Sequence, residues 1–329
     1  MAYVIGIDHG NGNMKTENTI YPCGYKMQEI EPNKLFAQDI IEYKDKFYTL
    51  SSTKFPYQTD KTTDEKAFIL TLFSIAKEIV ARAASGKTDY NVQRDFTGFV
   101  GKDVILAVGL PPAHFEKQAG AFKQYLLKRA EHGINFKYNG KPFNFYVKDV
   151  LVFPQDYAAA VVFMESVLTE FSTCYCIDIG DGTTDMVGLE DGVPIKETML
   201  SREIGMSKLR SKIIDDVIND YGITLSDRNV EDFLSGKKIA LPPDEAEHIK
   251  KRMEETTKAF AIEIVNQLHS KVPDFRIAPV IFSGGGAKAL KQYLIQTNAF
   301  SEPFMYFIDA INANAVGYQQ IAKMQLGIE

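Results

Sequence analysis

A carboxylate followed by two closely spaced glycines and a lysine can serve a metal ion and a phosphate together. The chain carries this set near its start as IDHGNGNMK, with Asp8, Gly10, Gly12 and Lys15. The stretch is neither GxxxxGK[ST] nor GxGxxG, so its chemistry has to be argued from the side chains. Glycines let a backbone approach a phosphate and take positive φ. Successive N–H groups in such a turn form an anion-binding concavity. Asp8 has the wrong charge for that task. A nucleoside triphosphate arrives with Mg2+, however, and this ion keeps much of its octahedral water shell. A carboxylate beside the turn can hold that shell without touching a phosphate. Lys15 adds a point positive charge for the β- or γ-phosphate. One such turn is a weak signal, because Asp-Gly turns are common in hairpins.

The pattern returns in the second half as CIDIGDGTTDM, with Asp178, Gly180, Gly182, Thr183 and Thr184. Each copy follows an apolar strand and leads into another strand-like run. This is an internal repeat, and it splits the chain into two similar halves. Asp8 and Asp178, one from each turn, are expected to hold a hydrated Mg2+ from two sides. Gly10, Asn11, Gly12, Asn13 and Lys15 are the expected nucleotide contacts of the first turn. Gly180, Asp181, Gly182, Thr183 and Thr184 are those of the second, with hydroxyl donors at Thr183 and Thr184. Asp181 is expected to turn toward metal-bound water or the cleft, away from phosphate, and Asp185 to brace the hairpin. A third element, SGGGAKAL (Ser283–Leu290), runs from strand through Gly284, Gly285 and Gly286 into a helix. It would set backbone against an adenosine beside a helix N-terminus.

The elements that must position these turns alternate between strand and helix, the mark of an α/β fold. Residues 3–8 read as the first strand. IIEYKDKFYTL reads as a hairpin turning at Lys44 and Asp45. Thr62 and Glu65 have the spacing of a capping box, ahead of a helix with Phe68, Leu72, Ile75 and Ile79 on one face. VILAVGLPP is a buried strand stopped by two prolines, and His114 begins a helix after them. FNFYVKDVLVFP is another strand, with a helix to follow through about residue 170. A long helix runs from about 244 to 269. APVIFSGGGAKAL supplies the last strand, and a helix covers about 309–324.

The bulk composition sets limits. The 329 residues, 45% hydrophobic, suit two domains at roughly 100–200 residues each. No stretch approaches the roughly 20 apolar residues of a membrane span, and no leader is visible. Cys23, Cys174 and Cys176 offer no metal or disulfide spacing, and the last two read as small core residues. A cytoplasmic protein with no membrane partner is expected. The formal net charge of −6 argues against direct nucleic-acid binding, which runs on phosphate neutralisation by Lys and Arg.

IDHGNGNMK, IDIGDGTTD and SGGGA together resemble the two phosphate turns and the adenosine turn of the actin-like ATPase superfamily. The resemblance covers nearly the whole chain. It implies an α/β actin-like fold, with two similar RNase H-like domains around a nucleotide cleft. The first domain would take residues 1–170 and 312–329, with an outer subdomain at about 33–98. The second would take 171–311, with an outer subdomain at about 207–260. GLPP at Gly109–Pro112 and PQDYAAA at Pro154–Ala160 are similar to bacterial ParM-type plasmid-segregation actins. That likeness implies a slow Mg-dependent ATPase, with GTP as the alternative nucleotide, that polymerises with itself. An adaptor protein bound to centromere-like plasmid DNA would capture the filament. It also implies that Gln155 orients the attacking water, and that Lys208 and Arg210 in SREIGMSKLRSKI contact ribose or base. A solvated helix face is the competing reading of that last pair. Asp156 reads as a residue at the N-terminus of a helix, and His9 as non-catalytic. Ala315 and Gly317 would let helices pack closely at a hinge. A small-molecule kinase of the same fold and a non-polymerising, chaperone-like nucleotide switch are the alternatives. Sugar-stimulated turnover would mark the first of them.

Overall fold

Runs of Val, Ile, Phe and Tyr favour strands. The computed structural model, which describes residues 2–33, 37–56, 58–85 and 97–328, gathers these runs into two sheets, one in each of two compact units. The first unit is Met1–Phe163 with Asn312–Glu329, and the second is Met164–Ile311.

In chain order the first unit runs β1 (Tyr3–His9), β2 (Asn13–Lys15), β3 (Ile20–Pro22), β4 (Tyr25–Gln28), β5 (Ile40–Tyr43), β6 (Lys46–Leu50), α1 (Lys66–Ala84), β7 (Phe99–Leu110), α2 (Pro112–Arg129), β8 (Ile134–Tyr138), β9 (Lys141–Pro154) and α3 (Tyr157–Phe163). The second follows with α4 (Glu165–Glu170), β10 (Thr173–Ile179), β11 (Thr184–Glu190), β12 (Val193–Arg202), α5 (Met206–Tyr221), α6 (Asp227–Leu234), α7 (Ala246–Leu268), β13 (Val280–Ser283), α8 (Gly284–Gln296) and β14 (Met305–Phe307). The last helix, α9 (Ala313–Leu326), belongs to the first unit.

The repeat read from the sequence is a repeat of topology. In the first unit β1, β2 and β3 form an antiparallel meander, and β7 and then β9 add in parallel on the other side of β1. In the second, β10, β11 and β12 form the meander, and β13 and β14 add in parallel beside β10. The first sheet continues past β9 through β8, β5, β6 and β4.

Alternation along the strands puts side chains on both faces of the first sheet. Ile5, Ile7, Val104, Leu106 and Val108 pack with α1 and α2. Val4, Ile105 and Ala107 face the other way, toward Ala158 of α3 and Tyr318 and Ala322 of α9. Glycine permits this close approach. A Cβ at Gly6 would collide with the Ala315 carbonyl, and one at Gly317 with the Ala158 carbonyl. In the second unit Ile177, Ile179 and Phe282 pack with Leu209 and Ile213 of α5, Phe260 and Ile264 of α7, and Leu290 of α8. Cys174 and Cys176 are buried strand residues.

Several local expectations hold and others need correction. The hairpin of β5 and β6 turns at Lys44 and Asp45, both at positive φ (50° and 58°), the geometry of a type I′ turn. The capping box is not made. Thr62 donates its N–H and hydroxyl to Asp60 (2.8 and 2.7 Å), and α1 starts later, at Lys66, whose N–H reaches Asp64 Oδ1 at 2.8 Å. A nearer acceptor won the competition for Thr62. Helix α1 buries more than one face, with Ile69, Leu70, Phe73 and Ala76 buried beside the four predicted residues. The helix after β9 is two pieces, α3 and α4, on either side of Met164. The strand at Val280–Ser283 is not the last, because the three-residue β14 pairs beside it.

Candidate functional site

The first turn closes the β1–β2 hairpin, where Asp8 pairs with Lys15 and His9 with Met14. Gly10 is required there: a Cβ would stand 2.5 Å from the Asn13 carbonyl oxygen. Asp8 is almost fully buried (2% exposed) and lies among donors. Lys15 Nζ is 3.2 Å from its Oδ2, and Gln155 Nε2 is 3.1 Å from its Oδ1. Buried polar groups need such partners to offset the water they lose.

Gln155 follows β9 directly, and its N–H donates to the Leu110 carbonyl at the end of β7 (2.9 Å). The chain then bends sharply at Asp156, which sits at φ 68°. This region is costly for a non-glycine residue and clusters at functional sites. The Asp156 N–H donates to Asn314 Oδ1 of α9 (2.9 Å), which fixes the bend. Its carbonyl accepts from Ala160 N–H, so Asp156 stands just before α3.

His9 points away from Asp8, as alternation requires. Its Nε2 lies 2.8 Å from Thr71 Oγ1, and its ring meets Phe122 edge-on. Burial, with the charge of Lys61, pushes its pKa down to about 3. It is a neutral packing residue. Lys61, which the sequence did not single out, donates to the His9 carbonyl just ahead of the turn.

The second turn closes the β10–β11 hairpin, where Asp178 pairs with Asp185 and Ile179 with Thr184. The Gly180 N–H donates to the Thr183 carbonyl (2.9 Å). Thr183 and Thr184 spend their hydroxyls internally, on Asp185 Oδ2 (2.7 Å) and the Ile204 carbonyl (2.5 Å). Asp185 therefore does brace the hairpin. Helix α5 begins against this turn. The N–H groups of Met206 and Ser207 donate to the carbonyls of Gly180 and Asp181 (3.0 and 2.8 Å). Gly205 permits the contact, since a Cβ there would be 2.6 Å from the Gly182 carbonyl carbon. The only sign of Gly205 in the sequence is a glycine ahead of a helical run.

The third element abuts the second turn. Asp178 pairs with Ser283 across β10 and β13. Gly284 opens α8 at φ 86°, and a Cβ there would collide with Asp178 Oδ1. A Cβ at Gly286 would come within 2.6 Å of Ile179 Cγ2, whereas none of its neighbours would meet one at Gly285. Gly285 is exposed at the N-terminus of α8, and the first N–H groups of a helix, which lack intrahelical partners, favour anions and polar ligands.

Lys208 and Arg210 are both engaged within the second unit. Lys208 lies 2.8 Å from Glu263 Oε1 on an exposed face of α5 and α7. Arg210 is buried, with its Nη2 2.7 Å from Asp181 Oδ1. Asp181 is therefore held in an ion pair with Arg210.

Each unit gathers its own predicted residues. Asp8, Gly10, Asn11, Gly12, Asn13, Lys15 and Gln155 come together in the first, and Asp178, residues 180–184, Arg210 and Gly284–Gly286 in the second. Among the described residues no helix is long and apolar enough to cross a membrane.

Comparison with known proteins agrees with this architecture. Residues 176–296 match the family model of the archaeal actin homologue MreB-like C-terminal region. No curated protein matches the chain in sequence. Among solved structures, the archaeal actin homologue Ta0583 superposes with a TM-score of 0.74 at 16% identity, over 98% of this chain and 99% of that one. Its complex with ADP gives 0.71 at the same identity and coverage. A subunit of a 15-stranded ParM filament from Clostridium botulinum gives 0.72 at 18% identity, also over 98% and 99%. The chain thus shares its fold with these actin-like proteins, and residues 176–296 carry the sequence pattern of the MreB-like C-terminal family model.

Proposed function

We propose that the chain binds ATP or GTP with Mg2+, hydrolyses it slowly, and assembles with copies of itself into filaments. The observation that carries this reading is the duplicated turn. Each unit carries a buried aspartate, Asp8 or Asp178, one residue before the end of the first strand of its meander, ahead of a glycine turn. Each turn offers a buried carboxylate ahead of backbone N–H groups, a donor set that suits a hydrated Mg2+ and a polyphosphate. When bound, the ion would offset phosphate charge. Lys15 would add a cation at the first turn, and the α8 N-terminus would receive the nucleoside.

Gln155 would hold the attacking water. A glutamine cannot act as a base, but phosphoryl transfer needs mainly positioning and charge stabilisation. Its hydrogen bond to Asp8 holds the amide beside the metal-binding carboxylate. Slow turnover suits a timer on a polymer. The relatives support the polymer reading, since one is a ParM filament and another is an actin homologue with ADP. The cargo we propose is plasmid DNA, reached through an adaptor on a centromere-like site and not by direct contact.

The test is sedimentation of the purified protein across a concentration series with MgATP, MgGTP, MgADP and no nucleotide. A critical concentration that appears with a triphosphate supports the reading. Bound nucleotide with no pellet at any concentration removes the filament.

A further inference from the structure

Helix α5 carries a buried arginine that the phosphate chemistry does not require. Arg210 lies one turn into the helix, four residues beyond Met206, whose N–H caps the Gly180 carbonyl. Long side chains on a helix lean toward its N-terminus, and that brings Arg210 back onto the turn. Its Nη2 sits 2.7 Å from Asp181 Oδ1, and its Nε sits 3.7 Å from Asp227 Oδ2 at the start of α6. Its side chain is 9% exposed, that of Asp181 21% and that of Asp227 72%.

Asp181 stands between Gly180 and Gly182, in the segment whose backbone would meet phosphate. An uncompensated carboxylate there would repel the ligand, and more strongly as its charge grows. Buried charge is tolerated only when paired, and here each partner supplies the other. The two carbonyl bonds from α5 fix the helix on the turn, so the guanidinium is held in place from behind.

Building on the nucleotide reading above, we infer that Arg210 is a positioning residue, which keeps the Asp181 carboxylate neutralised and drawn off the phosphate path. It is not a contact to ribose or base. Through Asp227 the same guanidinium ties the phosphate turn to the first residue of α6.

The experiment compares the binding of AMP, ADP and ATP, each with Mg2+, to the wild type, Arg210→Met, Asp181→Asn and the double variant. For Arg210→Met the expected loss of affinity grows along the series, from about threefold for AMP to thirtyfold or more for ATP. It shrinks as salt is raised, because the repulsion is screened. Asp181→Asn, which leaves the Arg210 charge without its carboxylate, supplies the second single variant of the cycle, and the double variant recovers most of the Arg210→Met loss. A purely structural arginine would instead give a loss uniform across the three nucleotides and unrescued by Asp181→Asn, and that result overturns the inference. So does Arg210→Met binding like wild type. A wild type that binds none of the three overturns the nucleotide reading itself.

Discussion

Lys15 and Asp185 hold the same position in two copies of one hairpin. Lys15 stands opposite Asp8 across β1 and β2, and Asp185 stands opposite Asp178 across β10 and β11. The backbone is duplicated and the chemistry is not. The first copy places a cation beside its aspartate. The second places a carboxylate that accepts the Thr183 hydroxyl.

The two positions should therefore fail differently. Lys15→Ala is expected to weaken ATP binding about tenfold, beyond the stability lost when buried Asp8 keeps one partner fewer. Asp185→Ala is expected to lower the midpoint by several degrees, because it frees a buried hydroxyl at a cost of about 1–3 kcal/mol. Calorimetric titration and thermal unfolding of the two variants, side by side, check the contrast.

Neighbouring glycines of α8 give a second contrast. Gly284→Ala forces a Cβ against Asp178 at a positive φ, so it should cost about 2 kcal/mol or more of stability. Gly285→Ala meets no neighbour and should leave stability level or slightly raised, since alanine favours helix. If the nucleoside approaches this backbone, Gly285→Ala still weakens nucleotide binding. A Gly285→Ala variant of unchanged stability and unchanged affinity would remove α8 from the site.

A buried polar network supports the first turn from behind. Glu78 of α1 accepts from the Thr16 hydroxyl (2.6 Å), from the N–H and side-chain amide of Asn18, and from Arg82. Arg82 also reaches the Val4 carbonyl and Gln319 of α9. Burial would raise the Glu78 carboxyl, but the Arg82 guanidinium and these hydrogen bonds outweigh it and hold the pKa below the usual glutamate range. A carboxyl depressed in the folded state adds stability above its unfolded pKa and loses it as pH falls through the folded one. Glu78→Ala should cost about 3 kcal/mol at neutral pH by leaving Arg82 buried with one partner fewer. The gap from wild type should narrow in acid. Denaturant midpoints from pH 7 down to pH 3 would show it, and a constant gap would contradict it.

His9 acts in the same direction at higher pH. Its pKa is lowered from 6.5 to about 3 in the fold, so below pH 6.5 the unfolded chain takes up a proton that the folded chain refuses. Stability is then lost as pH falls, with a slope approaching about 1.4 kcal/mol per pH unit. His9→Gln, tolerated next to Thr71, should flatten the stability curve between pH 6 and 5. An unchanged slope in that variant would assign it to other groups.

Much of this was legible in the sequence because it was local. The D-x-G-x-G repeat marked both hairpins, their aspartates and the likeness of the two halves, since a strand, a tight turn and a strand are contiguous. The glycines of α8 were legible for the same reason. Contacts made by packing were not. Arg210 meets Asp181 only because α5 docks its first turn on the hairpin. Gln155 meets Asp8 because β7 sets β9 two strands from β1, and no spacing in the chain encodes that distance. The capping box failed because Asp60 is a closer partner for Thr62 than the helix end. Strand β14, with three residues after a proline-containing turn, is too short to carry a periodic signal.

The most direct test follows phosphate release and light scattering together, in one sample, after MgATP is added to wild type and to Gln155→Ala. Gln155 bonds the buried carboxylate of Asp8, and the proposed function has it orient water, not hold nucleotide. The variant should assemble at a similar critical concentration, release phosphate about a hundredfold more slowly, and keep its scattering long after the wild-type signal has decayed. Phosphate release at the wild-type rate from Gln155→Ala would contradict the account.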